Sequence, residues 1–404
     1  MVGKEMKISL PLVSIVIANY NYGRFLTAAV ESVKNQTYPN IECIIVDDAS
    51  TDDSPAQIER IAATFPEVTC IRNDENSGQT FSFYAGFKQS RGDFVLFLDA
   101  DDILLENAIT THIFVHLSSR IRAGFTTCDW LQTLDERLMA GAFFPLELLE
   151  YHEPRNSGLG LLHRLDKSCT HIWPPNVGAP PDDLARRVFY MPPSDAARKI
   201  FAPTSGNCFR RDALALFLDE SSPMDLRLNA DVYLREAVFL ITGAIGVDMP
   251  LFVYRIHGSN GFSKCADLVN RIAIDPAKDL MTRKIANRAI ADRLAGNAQY
   301  FLKNFGYLTL FEALHALLVD VHLAAPSDLG ALTGYLHAQL RDNESTIVSF
   351  TSRADFERLL FRLEVAPKRD RSPLQKKIAE FFLTIGRLTR SSELTNLGER
   401  FWRA

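Results

Sequence analysis

A chain of 404 residues with 47% hydrophobic and 23% charged side chains has the composition of a soluble globular protein and the length for two or three domains. A net charge of −5 gives no sign of a nucleic-acid partner, and the charge is uneven: residues 366–404 hold nine Lys/Arg against four Asp/Glu, which leaves the remainder at −10. No run approaches the roughly 18 apolar residues of a membrane span, and Met1–Lys7 lacks a signal-peptide core, so a cytoplasmic protein is expected. Cysteines at 43, 70, 128, 169, 208 and 265 form no Cys-x-x-Cys pair and read as small buried hydrophobes of a reducing compartment.

Val13–Ala18 is predicted to be a strand, ending in the polar turn Asn19–Gly23. A helix follows over Arg24–Gln36, with Phe25, Leu26, Ala29, Val30 and Val33 on one face. Pro39 closes that unit. Ile41–Val46 is the second strand and runs into Asp47-Asp48-Ala-Ser-Thr-Asp52-Asp53-Ser54, where Ser54 caps a helix opened by Pro55. Val68–Ile71 is a third strand. The loop Arg72–Gly78 leads to a helix ending near Arg91-Gly92, and Phe94–Leu98 is a buried strand with Asp99, Asp101 and Asp102 at its carboxyl end.

Strand and helix alternating at this spacing predict an α/β fold with a mostly parallel sheet and right-handed crossovers. Such sheets bind ligands at the carboxyl ends of their strands. Asn19–Asn21, Asp47/Asp48 and Asp99–Asp102 all fall there, so three distant polar clusters are expected to line one crevice. The acidic triplet alone fits either a divalent cation, for which hard oxygen ligands suit Mg²⁺ or Mn²⁺, or the N-cap of a helix over 103–120. His112 and His116 lie four apart on that helix, but the acidic partner of a zinc-protease motif is absent and apolar residues intervene.

Ala123–Thr133 reads as another strand. The Pro-rich stretch 141–200 has no sustained period and is expected to be an irregular insertion, a lid or acceptor platform if not a plain surface excursion. Order returns at Ala202–Asp212, where Arg210 and Arg211 read either as a solvated helix start or as acceptor contacts. A helix around Asp231–Val238 and a strand over Ile245–Tyr254 follow, and beyond Cys265 the pattern is helical, as in Leu308–Leu323 and Phe356–Leu363. The expected domains are 1–264 and a helical 265–404.

Four segments in this order carry a resemblance: Ser14-Ile-Val-Ile-Ala-Asn-Tyr-Asn, Val46-Asp-Asp-Ala-Ser-Thr-Asp, Leu98-Asp-Ala-Asp-Asp and Tyr254-Arg-Ile-His-Gly-Ser-Asn. Over residues 11–260 the chain resembles family 2 glycosyltransferases of the GT-A fold, which are inverting and use nucleotide sugars. The resemblance implies that Asp48 recognises the nucleotide base, usually uracil, with Ala18, Asn19 and Tyr20 beside it. Asp99 would face the ribose and donor sugar, and Asp101 would hold the Mn²⁺ or Mg²⁺ that bridges the diphosphate. Asp231 matches the catalytic base. Arg255 and His257 resemble the closing segment that reaches the diphosphate or metal, with His257 as a metal ligand.

Asp102, with no role carried over, is expected to be the cap of the helix over 103–120. Bland readings stand beside these: a helix-start Asp for Asp231 and a structural strand-end histidine for His257. Two departures from the family pattern are visible. Ala49 replaces a Gly after the paired Asp, and Phe83-Tyr84 stand where many members have Arg-Asn before the Gly at 86.

The chemistry suits the residue types. A divalent ion stabilises a leaving diphosphate, and a carboxylate takes the proton of the attacking hydroxyl. The expected activity is therefore metal-dependent inverting transfer from a nucleotide-diphospho-sugar to a glycan or lipid-linked glycan hydroxyl. An inactive glycosyltransferase-like scaffold that binds a partner through its helices is the alternative. A pyrophosphorylase or dinucleotide oxidoreductase would need a Gly-rich loop after the first strand, and Asn19–Gly23 is not one. The basic tail, with Leu374–Leu388 and Phe401-Trp-Arg, either packs on the protein or lies on an anionic membrane surface at the inner face of the membrane.

Overall fold

The apolar runs at 13–18, 41–46 and 94–98 become strands largely buried on both faces, the environment of a parallel sheet covered by helices, while the short edge strand at 69–72 is mostly exposed. The computed structural model describes residues 9–134, 136–141, 161, 183–194, 199–258, 260, 276–324 and 328–364. β1 (Val13–Asn19), α1 (Gly23–Lys34), β2 (Ile41–Asp47), α2 (Ser54–Thr64), β3 (Thr69–Arg72), α3 (Gln79–Gln89) and β4 (Phe94–Asp99) follow in that order. β1 runs parallel to both β2 and β4, with Ala18 opposite Val46 on one side and Asp99 on the other. β3 adds parallel to β2. Helix α3 lies close against this sheet because Gly86 has no side chain: a Cβ there would come within 2.3 Å of Val16 Cγ1.

Ile103 opens no helix. It starts a two-residue strand, β5 (Ile103–Leu104), and α4 (Ala108–Ser118) begins four residues later behind Asn107. The cap role of Asp102 is therefore wrong. Its buried carboxylate instead accepts from Ser205 Oγ at 2.7 Å and from the Arg255 N–H at 3.3 Å.

β6 (Phe125–Leu134), β7 (Arg137–Gly141), α5 (Leu184–Arg187) and β8 (Val188–Met191) come next. A single turn of 3₁₀ helix (Thr204–Gly206), β9 (Asn207–Arg210), α6 (Arg211–Leu214), α7 (Ala230–Thr242) and β10 (Ala244–Ile256) complete the α/β part. The sheet order is β3-β2-β1-β4-β9-β6-β10-β5, with β7 on β6 and β8 on β10. The sheet is mixed. It is parallel through β3-β2-β1-β4 and between β6 and β10, and antiparallel where β9 inserts between β4 and β6. The fold class is the expected α/β, with the parallel portion concentrated around β1 and β4, the topological switch point of the sheet.

Arg210 pairs with Phe94 at the amino end of β4, the opposite end from Asp99, and its guanidinium engages Asp212 at 2.6 Å. Arg211 donates to Gly92 O and Ser90 Oγ at that same end. That placement sets the pair at the end of β4 away from Asp99. His112 is buried and bonded to Thr126 Oγ1 at 2.7 Å, and His116 reaches Cys208 O at 3.0 Å. Burial depresses them to about 3 and about 4 respectively, so both are neutral core groups.

After residue 260 every described element is helical: α8 (Pro276–Gly296), α9 (Ala298–Ala324, broken at Gly306), α10 (Leu329–Asp342), α11 (Glu344–Phe350) and α12 (Arg353–Glu364). α8 and α9 pack on α7, so the change of architecture near 264 is not a break in packing, and the described residues up to Leu363 form one compact unit. Among the described residues no helix is long and apolar enough to cross a membrane. The expected basic tail and most of the insertion at 141–200 lie outside the described residues.

Candidate active site

A cleft of about 680 Å³ opens at the carboxyl ends of β1, β2 and β4. Ala18, Asn19, Tyr20, Asp48, Asp99 and Asp101 all line it, so the three polar clusters do meet. β1 ends in Asn19, whose buried amide donates to Asp47 Oδ1 at 2.8 Å and Ser50 Oγ at 3.2 Å; its own oxygen is buried without a hydrogen-bond partner among the described residues.

Asp48 is buried at the start of the β2 turn and accepts three bonds: Asn73 Nδ2 at 2.8 Å, the Ser77 N–H at 2.9 Å and the Gly78 N–H at 2.7 Å. These bonds spend much of its accepting capacity on folding the 73–78 loop over the cleft. A carboxylate has about four lone-pair sites, so one position on Oδ2 is left for a base N–H. Gly78 is required in that loop, because it sits at φ 91 and a Cβ would meet Arg227 Cα at 2.8 Å.

β4 delivers Asp99 and Asp101 to the cleft. Burial, with the nearby charges of Asp101 and Asp231, pushes Asp99 up to about 8, against hydrogen bonds from Thr204 and Gln79 that oppose the shift. Asp102 is raised by the same kind of burial and by the Asp101 and Asp99 charges. Crowded carboxylates of this kind are a high-energy arrangement that a cation relieves. Asp101 Oδ2 is 3.0 Å from His257 Nε2 and 3.2 Å from Asn260 Nδ2. In this contact Asp101 and His257 are hydrogen-bonded to one another, and they are the side chains that would hold Mg²⁺ or Mn²⁺ once His257 Nε2 is turned or free of its proton. Among the described residues no group of three His, Cys, Asp or Glu could hold a metal. A two-residue site is sufficient where substrate phosphates and water complete the shell.

Arg255 and His257 do not line the main cleft. They line an adjoining cavity of about 310 Å³ with Arg24 and Phe25. Arg255 donates to the Asp101 carbonyl and to Phe25 O at 3.3 Å, and its guanidinium lies 4.9 Å over the Phe25 ring. The His257 ring is 4.3 Å from the same ring. Asn260 locks this end by donating to Arg255 O at 2.7 Å and accepting the His257 N–H at 2.8 Å.

Asp231 is in the first turn of α7, where a negative charge suits the helix dipole, and is 9% exposed. It sits behind Asn229, which lines the cleft, close enough to Asp99 to raise it. Arg235, one turn on, contacts its carboxylate at 2.9 Å and also donates to Ala202 O.

Sequence reading passed over Gln79, Arg227 and Asn260. Gln79 lines the cleft and donates to Asp99 Oδ1 at 3.0 Å, which supplies a polar contact that Phe83 and Tyr84 do not. Phe83 is buried and stacked on Phe97 at 4.1 Å, and the Tyr84 hydroxyl turns outward to Glu220. An uncharged amide at the first position of a helix carries no local signal. The hint was only that the loop 72–78 ends at a strand-end cleft.

Residues 14–116 match the family model described as glycosyl transferase family 2. An uncharacterized glycosyltransferase of Nostoc sp. (strain PCC 7120) is 28% identical over 295 residues, 73% of this chain and 77% of that protein. The UDP-Glc:alpha-D-GlcNAc-diphosphoundecaprenol beta-1,3-glucosyltransferase of Escherichia coli is 39% identical over 104 residues, 26% of this chain and 41% of that one. Of this second relative the chain therefore spans less than half. Among solved structures, S. aureus TarS 1–349 in complex with UDP aligns with a TM-score of 0.43 and 15% identity, over 86% of this chain and 90% of that one. The matched segment contains the loops that carry Asn19, Asp48, Asp99 and Asp101, and over residues 14–116 the chain is similar to family 2 glycosyl transferases.

Proposed function

We propose that this transferase moves a sugar, with inversion, from a nucleotide-diphospho-sugar of the UDP type to a hydroxyl of a glycan or lipid-linked glycan. The observation that carries this reading is the single cleft in which Asn19, Asp48, Asp99 and Asp101 converge, with Asp231 close behind. In this reading Asn19 and Asp48 hold the base, with Ala18 and Tyr20 forming the wall beside it, and Asp99 holds the ribose side. Asp101 and His257 would hold Mn²⁺ or Mg²⁺, which supplies Lewis-acid stabilisation of the leaving diphosphate when bound. Arg255 lies on the far side of Asp101 and adds positive charge near the departing phosphates.

Asp231 takes the proton from the attacking hydroxyl, a contribution on the order of 10²- to 10⁴-fold. The E. coli relative acts on a diphosphoundecaprenol-linked sugar with UDP-Glc, which supports a lipid-linked acceptor and a uridine donor here. The basic residues of 366–404 would then hold the chain at an anionic membrane face. Flotation of the full chain with anionic but not neutral vesicles is expected, and equal recovery with both would remove that part.

The reaction is tested with Asp231→Asn. This variant should bind UDP as the parent does and lose transfer by at least 10²-fold, the lower end of such losses. Transfer that survives would require another base. Thermal shift against a panel of sugar nucleotides fixes the donor independently of the acceptor.

A further inference from the structure

Helix α7 begins without a side-chain cap of its own. Its N-cap residue, Asn229, is left-handed at φ 57 and makes no capping bond. The first helical amide, Ala230 N–H, is one of the donors every helix leaves unpaired at its start. It donates to Gln79 Oε1 at 3.0 Å, across 151 residues of sequence. The other end of the same side chain, Nε2, donates to Asp99 Oδ1 at 3.0 Å.

The backbone on each side is zipped together. The Gln79 N–H donates to Arg227 O at 2.9 Å, Thr80 Oγ1 donates to Leu226 O at 2.6 Å, and Arg227 Nη2 donates to Asn76 O at 2.8 Å. Two residues earlier, Ser77 and Gly78 are held by Asp48. One amide thus joins the loop over the cleft, the carboxylate at the end of β4 and the first turn of the helix that bears Asp231.

We propose that Gln79 is a positioning residue for transfer, coupling occupation of the donor cleft at Asp48 and Asp99 to the placement of Asp231. The inference rests on the assignment of Asp231 as the base. A side-chain amide suits the task because it presents a donor and an acceptor at fixed separation without charge. Asp231 follows Ala230 directly, so a shift of the first turn moves its carboxylate. A misplacement of about 1 Å at a reacting group costs on the order of 10²-fold in rate. Gln79→Met keeps the length of the side chain and removes both bonds.

The test is hydrogen exchange of the full chain with and without UDP and Mn²⁺, beside steady-state release of UDP from UDP-glucose or the sugar nucleotide that stabilises the protein most. In the parent protein UDP should slow exchange at 47–49, 76–78 and 228–234. In Gln79→Met the first two segments should still respond while 228–234 does not. The variant's kcat should fall by roughly 10- to 100-fold, within the range set by misplacement, with KM for the sugar nucleotide little changed.

Gln79→Glu keeps an acceptor for Ala230 but loses the donor to Asp99. It should leave 228–234 protected and unresponsive to UDP, which separates coupling from simple capping. In an Asp231→Asn background Gln79→Met should cost almost nothing further. Unchanged kcat with a normal response at 228–234, or a rise in KM alone, would overturn the proposal. Transfer that survives Asp231→Asn would remove the base assignment instead, and the exchange pattern would still report whether Gln79 carries the coupling.

Discussion

Several residues do more than their charge or type announces. Ala49 stands where the family pattern has Gly, and its φ of 57 places it in the left-handed region. That conformation costs a non-glycine residue about 1–2 kcal/mol, and Gly would return part of the gain as unfolded-state entropy of about 0.4–1 kcal/mol. Ala49→Gly should therefore raise unfolding free energy by roughly 0.5–1 kcal/mol in a urea titration. A loss of stability would mean that the Ala methyl makes compensating contacts.

The carboxylates show how far residue type alone carries. Asp48, Asp99 and Asp101 were legible as cleft residues because acids at strand ends need an explanation. That Asp48 spends three bonds on the 73–78 loop was not, since those partners lie 25 to 30 residues away. Asp102 looked like a cap because the residues after it are apolar. Its true partners, Ser205 and Arg255, lie more than a hundred residues on.

At the scale of elements, the alternation from Val13 to Asp99 was readable because each strand is a run of β-branched and aliphatic residues punctuated by Pro or Gly. β5, β8 and β9 were not. They have two to four residues, and pairing with β10, β4 and β6 decides their state rather than any period of their own. The helical C-terminal part was legible as helix, but not its contact with α7.

That contact includes a buried charge cluster. Lys199 pairs with Glu236 of α7 and, at 2.9 Å, with Asp320 of α9, and the Lys199 side chain is 9% exposed. Burial pulls the ammonium down, but the two carboxylates together hold it above the ordinary lysine range. Lys199→Met would leave both buried acids with only the more distant charges of Arg235 and Arg283, a loss of about 3 kcal/mol, the lower end for breaking a buried pair, measurable by denaturant unfolding. Adding Glu236→Gln and Asp320→Asn to that variant should recover much of the loss. Failure to recover would place the cost in packing rather than charge. Because α7 also carries Asp231, the proposed base, this cluster fixes the back of that helix while Gln79 contacts its front.

At the scale of the whole molecule, a mixed sheet gathers the proposed nucleotide cleft at its switch point between β1 and β4, and a helical region packs on the helix that carries the proposed base Asp231. The acidic character of residues outside the tail is partly the site itself: Asp48, Asp99, Asp101, Asp102 and Asp231 are all buried or half-buried near one cleft. Protonation of Asp99 and Asp102 and the neighbouring Arg235, Arg255 and His257 ease this crowding, and a bound cation would ease it further. The most direct measurement is calorimetric titration of UDP in the presence of Mn²⁺ into the parent chain and into Asp101→Ala. Saturable binding to the parent that Asp101→Ala abolishes is expected. Undiminished binding to Asp101→Ala would contradict that expectation.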